Sequence, residues 1–170
     1  MQLNRRAALT AVAAVFSGCG RATSVNVPAR TGAARVGIES RPLLTLSLST
    51  AAPQDLGMVP TGGRVIYPIT GGKFEGERLQ GRVLPGGADW TLKSSDGAVE
   101  LDLHVSLETH DAALVYMTFS GVRDDAHGYF RTVARFETAA PDYAFLNRLL
   151  AVGMGKLEAG RPVHVFEEIL

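Results

Sequence analysis

AVELDLHVSLET, residues 98–109, alternates apolar and polar side chains along nearly its whole length. Val99, Leu101, Leu103, Val105 and Leu107 fall on one face of an extended chain, and Glu100, Asp102, His104, Ser106 and Glu108 on the other. A repeat of two residues has no helical counterpart, so this is a strand with one face turned to a core. Asp96-Gly97 precedes it and His110-Asp111 follows it, and such two-residue breaks between β-type runs are hairpin signals. The strand therefore predicts antiparallel neighbours on both sides, WTLKS before it and AALVYMTFSG after it.

The same punctuation extends outward. LLTLSLST, from Leu43, has strand composition, and Gly71-Gly72 separates VIYPIT from KFEG in the manner of a turn. In GRVLPGGADW, residues 81–90, a short apolar strand runs into Pro85-Gly86-Gly87, a break that shapes a barrel corner or a holding loop, and then into Asp89 beside the lone tryptophan, Trp90. YFRTVARFET, residues 129–138, sets Phe130, Thr132, Ala134 and Phe136 against Tyr129, Arg131, Arg135 and Glu137. Only PDYAFLNRLL, residues 141–150, suggests a short helix, with Pro141 and Asp142 suited to its start. VGMGKLEA and VHVFEEIL supply two closing strands. Eight to ten antiparallel strands with one short helix predict an all-β fold, a closed or nearly closed barrel, since closure removes exposed edges.

The first 41 residues differ in character. Arg5-Arg6, a run of small and apolar residues, and Phe16-Ser17-Gly18-Cys19 have the layout of a secretory signal. The arginine pair resembles a twin-arginine signal, and the stretch ending in Cys19 resembles a lipobox, although Phe16 stands where Leu is usual. The expectation is an export signal over residues 1–19 with lipidation at Cys19, a flexible tether over 20–41, and a barrel domain over 42–170. The barrel would then be anchored to a membrane through lipid, in the periplasm or cell envelope.

Composition excludes some classes. The chain carries 17 basic and 17 acidic residues, and loss of Arg5 and Arg6 leaves 15 against 17, so there is no basic footprint for nucleic acid. Cys19 is the single cysteine, which excludes an internal disulfide. The four histidines are scattered with no i, i+2 pair, so no metal site is expected. There is no Gly-x-Ser-x-Gly elbow, and none of the paired glycines opens a helix as a phosphate loop would. No cofactor is expected.

GGRVIYPITGGKFEGERLQGRVLPGGADW (62–90), DGAVELDLHVSLET (96–109), YFRTVARFET (129–138), YAFLN and VGMG occur together in one order. In this the chain resembles uncharacterised protein family 0311, the domain of unknown function 3237, over about residues 43–170. The resemblance implies a compact antiparallel β-barrel and leaves activity unassigned. The chain departs from the family pattern at His110, at Ala112, where a Gly is usual, and at Phe145, where a Trp is usual. Loss of that Trp would narrow or remove an aromatic contact in a shared pocket.

Asp89, Asp102, His104, Arg131 and Glu137 are the reactive candidates, and they could converge only if their faces point into the barrel. Asp102 or Glu137 would then serve as a base on a carbonyl or enol, with Arg131 stabilising the oxyanion. Simple alternation instead leaves the even face of residues 99–107 solvated, and an Arg–carboxylate pair is equally a structural device. Asp89, Trp90, His104, Tyr129 and Asn147 are the candidate ligand contacts, within a wider aromatic set that includes Tyr67, Tyr116 and Phe145; a packed core would use the same rings. Three readings remain open: a barrel binding a small organic molecule in its interior or mouth, a cofactor-independent acid–base enzyme using the same cavity, and a filled barrel that binds a partner through its outer surface.

Overall fold

The computed structural model describes residues 37–170. The expected signal, Cys19 and most of the expected tether lie outside the described residues. Ten strands follow in order: β1 (Ser40–Thr50), β2 (Gln54–Val59), β3 (Gly62–Glu75), β4 (Gly81–Val83), β5 (Ala88–Lys93), β6 (Val99–Thr109), β7 (Leu114–Asp124), β8 (Tyr129–Glu137), β9 (Ala151–Glu158) and β10 (Arg161–Ile169). Among the described residues a single 3₁₀ helix, Pro141–Arg148, joins β8 to β9.

Every pairing is antiparallel, and β1 bonds to both β10 and β3, which closes the sheet into a barrel. Ten strands fill eight places around it. β1 and β2 lie end to end along β3, whose Ile69–Glu75 portion pairs with β1 and whose Gly62–Ile66 portion pairs with β2. β4 and β5 likewise lie end to end between β3 and β6. The Pro85-Gly86-Gly87 break is thus an interruption within one barrel position. It stays bonded to both neighbours: Leu84 N–H donates to the Ser106 carbonyl and Gly86 N–H to the Ile69 carbonyl. Gly87 has φ +78, and a Cβ there would collide with the His104 carbonyl, so this crossing requires glycine.

Two expectations about turns divide. Asp96-Gly97 and His110-Asp111 do separate β5 from β6 and β6 from β7. Gly71-Gly72 does not form a turn, because β3 runs straight through it. The pair adopts φ +147 and +149 where β1 presses close, and a side chain at Gly72 would strike the Ser47 carbonyl. The glycines thus serve close strand approach, which leaves the same sequence mark as a hairpin. Ala112, in the β6–β7 turn, takes φ +65, a conformation that favours glycine.

Alternation decides what fills the barrel. Leu101, Leu103, Val105 and Leu107 on β6, Met117 and Phe119 on β7, Phe130 and Phe136 on β8, and Phe166 on β10 are buried together with Leu44, Leu46 and Leu48 of β1. On β9 the inward positions include Gly153 and Gly155, where a Cβ would overlap the rings of Phe166 and Phe130. The Gly-x-Gly of β9 therefore makes room for two phenylalanines.

The two ends of the barrel differ. At the end where β6 and β8 finish, the 3₁₀ helix covers the opening, with Tyr143 and Leu146 buried and the Tyr143 hydroxyl donating to Asp111 at 3.0 Å. The same end carries Glu168, which accepts from Arg41 Nε at 2.8 Å and from Arg78. The Arg78 guanidinium lies 4.7 Å over the Phe145 ring. Phe145 is thereby engaged at the closed end, away from the cavity at the other. The opposite end, bounded by the β5–β6, β7–β8 and β9–β10 turns, is open.

Candidate functional site

A cavity of about 270 Å³ occupies the open end of the lumen. Leu48, Ile69, Leu101, Leu103 and Phe130 give it apolar walls, and Tyr67, Asp89, Thr91, Arg123 and His164 give it polar groups. Thr50, Leu157, Gly160 and Pro162 line its mouth.

Each polar group is brought inward by strand alternation. Asp89 and Thr91 share the inner face of β5, two residues apart and immediately after the interruption. Arg123 continues the β7 series Val115, Met117, Phe119, Gly121, and His164 sits two before Phe166 on β10. The Thr91 hydroxyl is satisfied, donating to the Val65 carbonyl at 2.8 Å. Three others are not. Asp89 Oδ1, Arg123 Nε and His164 Nδ1 are buried without a hydrogen-bond partner. Arg123 Nε lies 3.2 Å from Asp125 Oδ1, near enough to feel its charge but outside hydrogen-bond alignment. Unpaired buried polar atoms cost about 1–3 kcal/mol each, so their presence in one cavity calls for a reason.

Burial also sets their protonation. Removal from water pushes the Asp89 carboxyl up to about 7, although the Asp102 backbone N–H and the positive charge of Arg123 act the other way. His164 is pushed down to about 4 by burial alone. The ring edges of Phe119 and Phe130 approach it at 5.0 Å between centroids. At neutral pH the cavity thus holds a carboxyl near half-ionisation, a neutral imidazole and a guanidinium.

The other candidate residues lie outside the lumen. Asp102 and His104 occupy the outer face of β6, because their neighbours Leu101, Leu103 and Val105 take the inner one. There His104 Nε2 meets Asp102 Oδ1 at 3.2 Å, Nδ1 meets the Tyr116 hydroxyl at 2.5 Å, and Trp90 packs against the imidazole at 5.3 Å in an edge-on arrangement. Tyr129 and Arg131 stack on the outside of β8, 5.3 Å apart, with Arg131 also donating to the Phe130 carbonyl at 2.9 Å. Glu137 and Asn147 lie along an outer groove at the closed end. Asn147 serves the backbone there: its Oδ1 accepts from Thr138 N–H at 2.8 Å and its Nδ2 donates to the Thr138 carbonyl at 2.9 Å.

Of the residues singled out from the sequence, only Asp89 and Tyr67 reach the cavity. Asp102, Glu137 and Arg131 do not converge inside the barrel: each alternates with a buried neighbour, Leu101, Phe136 and Phe130, that takes the interior. Arg123 and His164 were missed as site residues. The usable signal was parity, since both continue inward-facing apolar series at intervals of two. Among the described residues no group of His, Cys, Asp and Glu could hold a metal ion, and no helix is long and apolar enough to cross a membrane.

Comparison with known proteins agrees with this architecture. The family profile described as "Protein of unknown function (DUF3237)" matches residues 38–167. A UPF0311 protein from Rhodopseudomonas palustris strain TIE-1 is 32% identical over 149 residues, spanning 78% of this chain and 97% of that protein. Among solved structures, a β-barrel like protein from Acinetobacter baumannii AYE superposes with a TM-score of 0.74 at 34% identity, covering 79% of this chain and 97% of that one. A conserved protein of unknown function from Rhodopseudomonas palustris gives 0.74 at 33% identity, covering 79% and 99%.

Proposed function

This chain belongs to the DUF3237 family, and from the cavity its barrel encloses we propose that it binds a small organic molecule in the open end of the lumen. One observation carries the reading: Asp89 Oδ1, Arg123 Nε and His164 Nδ1 are buried without a hydrogen-bond partner on the walls of one largely apolar cavity. A ligand that bonds to them recovers the cost of their burial, and the leucine and phenylalanine walls supply its apolar contact. A cavity of about 150 Å³ accommodates a benzene, so 270 Å³ suits a molecule of one or two rings. The test is titration with 2-naphthol followed by its fluorescence. Saturable one-to-one binding that is lost in Thr91→Trp, a substitution that fills the lumen, is the expected result. Absence of saturation up to about 1 mM, or equal binding by Thr91→Trp, would refute it.

The proposal extends to location. Arg5-Arg6, the apolar run that follows and Cys19 support export with lipid attachment, which would hold the barrel at a membrane of the cell envelope. Membrane fractionation of the Cys19→Ser variant tests this: release into the soluble fraction is expected, and unchanged fractionation would refute lipid attachment.

A further inference from the structure

We infer that the lumen is a proton-transfer site for small aryl-substituted ketones, in which the Asp89 carboxylate takes a proton from the carbon beside the carbonyl and the Arg123 guanidinium holds the resulting enolate oxygen. This rests on the proposal that the lumen binds a small molecule and adds the class of that molecule and what happens to it.

The charge pattern of the cavity selects the class. An anionic ligand would pair with Arg123 but face Asp89, with Asp125 already 3.2 Å from Arg123 Nε, and a cationic one would pair with Asp89 but face Arg123. A neutral molecule that accepts at one point and releases a proton at a nearby one satisfies both, and an enolisable ketone has that arrangement in adjacent atoms. The walls of Leu48, Ile69, Leu101, Leu103 and Phe130 take the aryl body. They also lower the local dielectric, which strengthens the guanidinium's attraction for a developing oxyanion.

The step balances without a co-reactant. The C–H electron pair becomes the enolate C=C bond, the carbonyl π pair moves onto oxygen opposite Arg123, and the proton resides on Asp89. If the Asp89 proton first exchanges with solvent at the open mouth, reprotonation of the same carbon replaces its hydrogen; reprotonation elsewhere on the conjugated system gives an isomer. Asp89 is suited to both directions because burial brings its carboxyl to about 7, where acid and base forms coexist at neutral pH. The titratable and charged groups around it are Tyr67 on β3, Asp102 on β6, Arg123 on β7 and His164 on β10. His164 stays neutral down to about pH 4, so the activity should rise with ionisation of Asp89 and level off above about pH 7.

The experiment uses the full chain with 2-indanone in D₂O, following loss of the CH₂ signal by proton NMR, with binding measured in parallel by saturation transfer. Exchange at least about 100-fold above buffer is expected, the lower end of what a positioned acid–base group supplies. Asp89→Asn should return exchange to the buffer rate while 2-indanone still binds, and Arg123→Met should lower it at least about tenfold. Bound 2-indanone exchanging at the buffer rate, or Asp89→Asn exchanging like the parent protein, would overturn the inference and leave ligand binding standing. If 2-naphthol binds and 2-indanone does not, the ketone class falls alone; if neither binds, both readings fall.

Discussion

Two clusters in this barrel are built from similar side chains and have different surroundings. Asp89, His164, Arg123 and Tyr67 line the lumen, whereas Asp102, His104, Tyr116 and Trp90 sit together on the outside of β5, β6 and β7. In the outer cluster the imidazole is bonded at both nitrogens, and the Asp102 side chain is 60% exposed. In the lumen a carboxyl, a guanidinium and an imidazole each keep a buried atom without a hydrogen-bond partner. Residue type alone would nominate the outer cluster, since its members lie close in sequence and resemble a relay. Desolvation nominates the lumen, because water and neighbours have already satisfied the groups outside.

The sharpest way to break this contrast is Asp89→Asn. Asp89 has a raised folded pKa, so the folded state holds its proton more tightly than the unfolded one. Its contribution favours folding below about pH 4 and is lost as pH rises towards 7. Replacement by Asn removes a charge that is poorly solvated at pH 8, and should raise unfolding free energy there by up to about 4 kcal/mol, with little change at pH 4. Urea unfolding at the two pH values reads the difference directly. An equal effect at both would show that Asp89 is not desolvated as the cavity geometry implies.

His164→Phe is next, with the opposite sign. The folded pKa of His164 is depressed to about 4, so the neutral ring's stability is complete above about 6.5 and is lost as pH falls through that window. The variant should be the more acid-resistant protein, by about 3 kcal/mol near pH 4. Over pH 4 to 6.5 the two lumen residues offset each other. The parent protein should therefore show a shallow profile there, Asp89→Asn a rise with pH, and His164→Phe a fall. Unfolding curves of the three proteins across that range would separate the two contributions.

A smaller effect tests the packing beneath the cavity. Gly155→Ala places a methyl about 2.5 Å from the Phe130 ring, which must shift. A loss of about 2 kcal/mol is expected from overpacking, against less than about 1 kcal/mol for Met154→Ala on the outer face. Comparable losses at both positions in thermal or urea unfolding would mean that the lumen has slack where the structure shows none.

Much of the barrel is legible from residues 98–109 outward, because half-buried antiparallel strands record their two faces as a repeat of two. Glycine pairs are less legible. Pro85-Gly86-Gly87 interrupts a strand, Gly71-Gly72 passes through one, and Asp96-Gly97 reverses the chain, although all three look like punctuation. What separates them is how near another backbone comes, and that is long-range information. For the site, the sequence gives away the inner face of β6 but does not flag the polar members of inward series on other strands. Arg123 after Phe119 and Gly121, and His164 before Phe166, lie on the core parity and are chemically conspicuous for that reason. Glu137, Arg131 and Asp102 drew attention as charged residues in family motifs, while Phe136, Phe130 and Leu101 beside them held the interior.

Asp102→Asn should have the smallest effect and therefore makes the most direct control. His104 Nε2 loses the carboxylate charge of Asp102 at 3.2 Å, between side chains 39% and 60% exposed, where such pairs contribute about 0–1 kcal/mol. The substitution keeps the Asp102 backbone N–H that acts on Asp89 from β6 and removes only the repulsion of the Asp102 carboxylate, the smallest of the causes acting on Asp89, so the lumen's protonation should change little. Unfolding free energy should move by no more than about 0.5 kcal/mol, and 2-naphthol binding and 2-indanone exchange should both stay at parental levels. If Asp102→Asn abolishes either while Asp89→Asn spares it, the outer groove of Asp102, His104 and Arg135 is the working surface and the lumen is only core. The two substitutions change the same functional group on neighbouring strands, so the comparison isolates which side of the sheet the group faces.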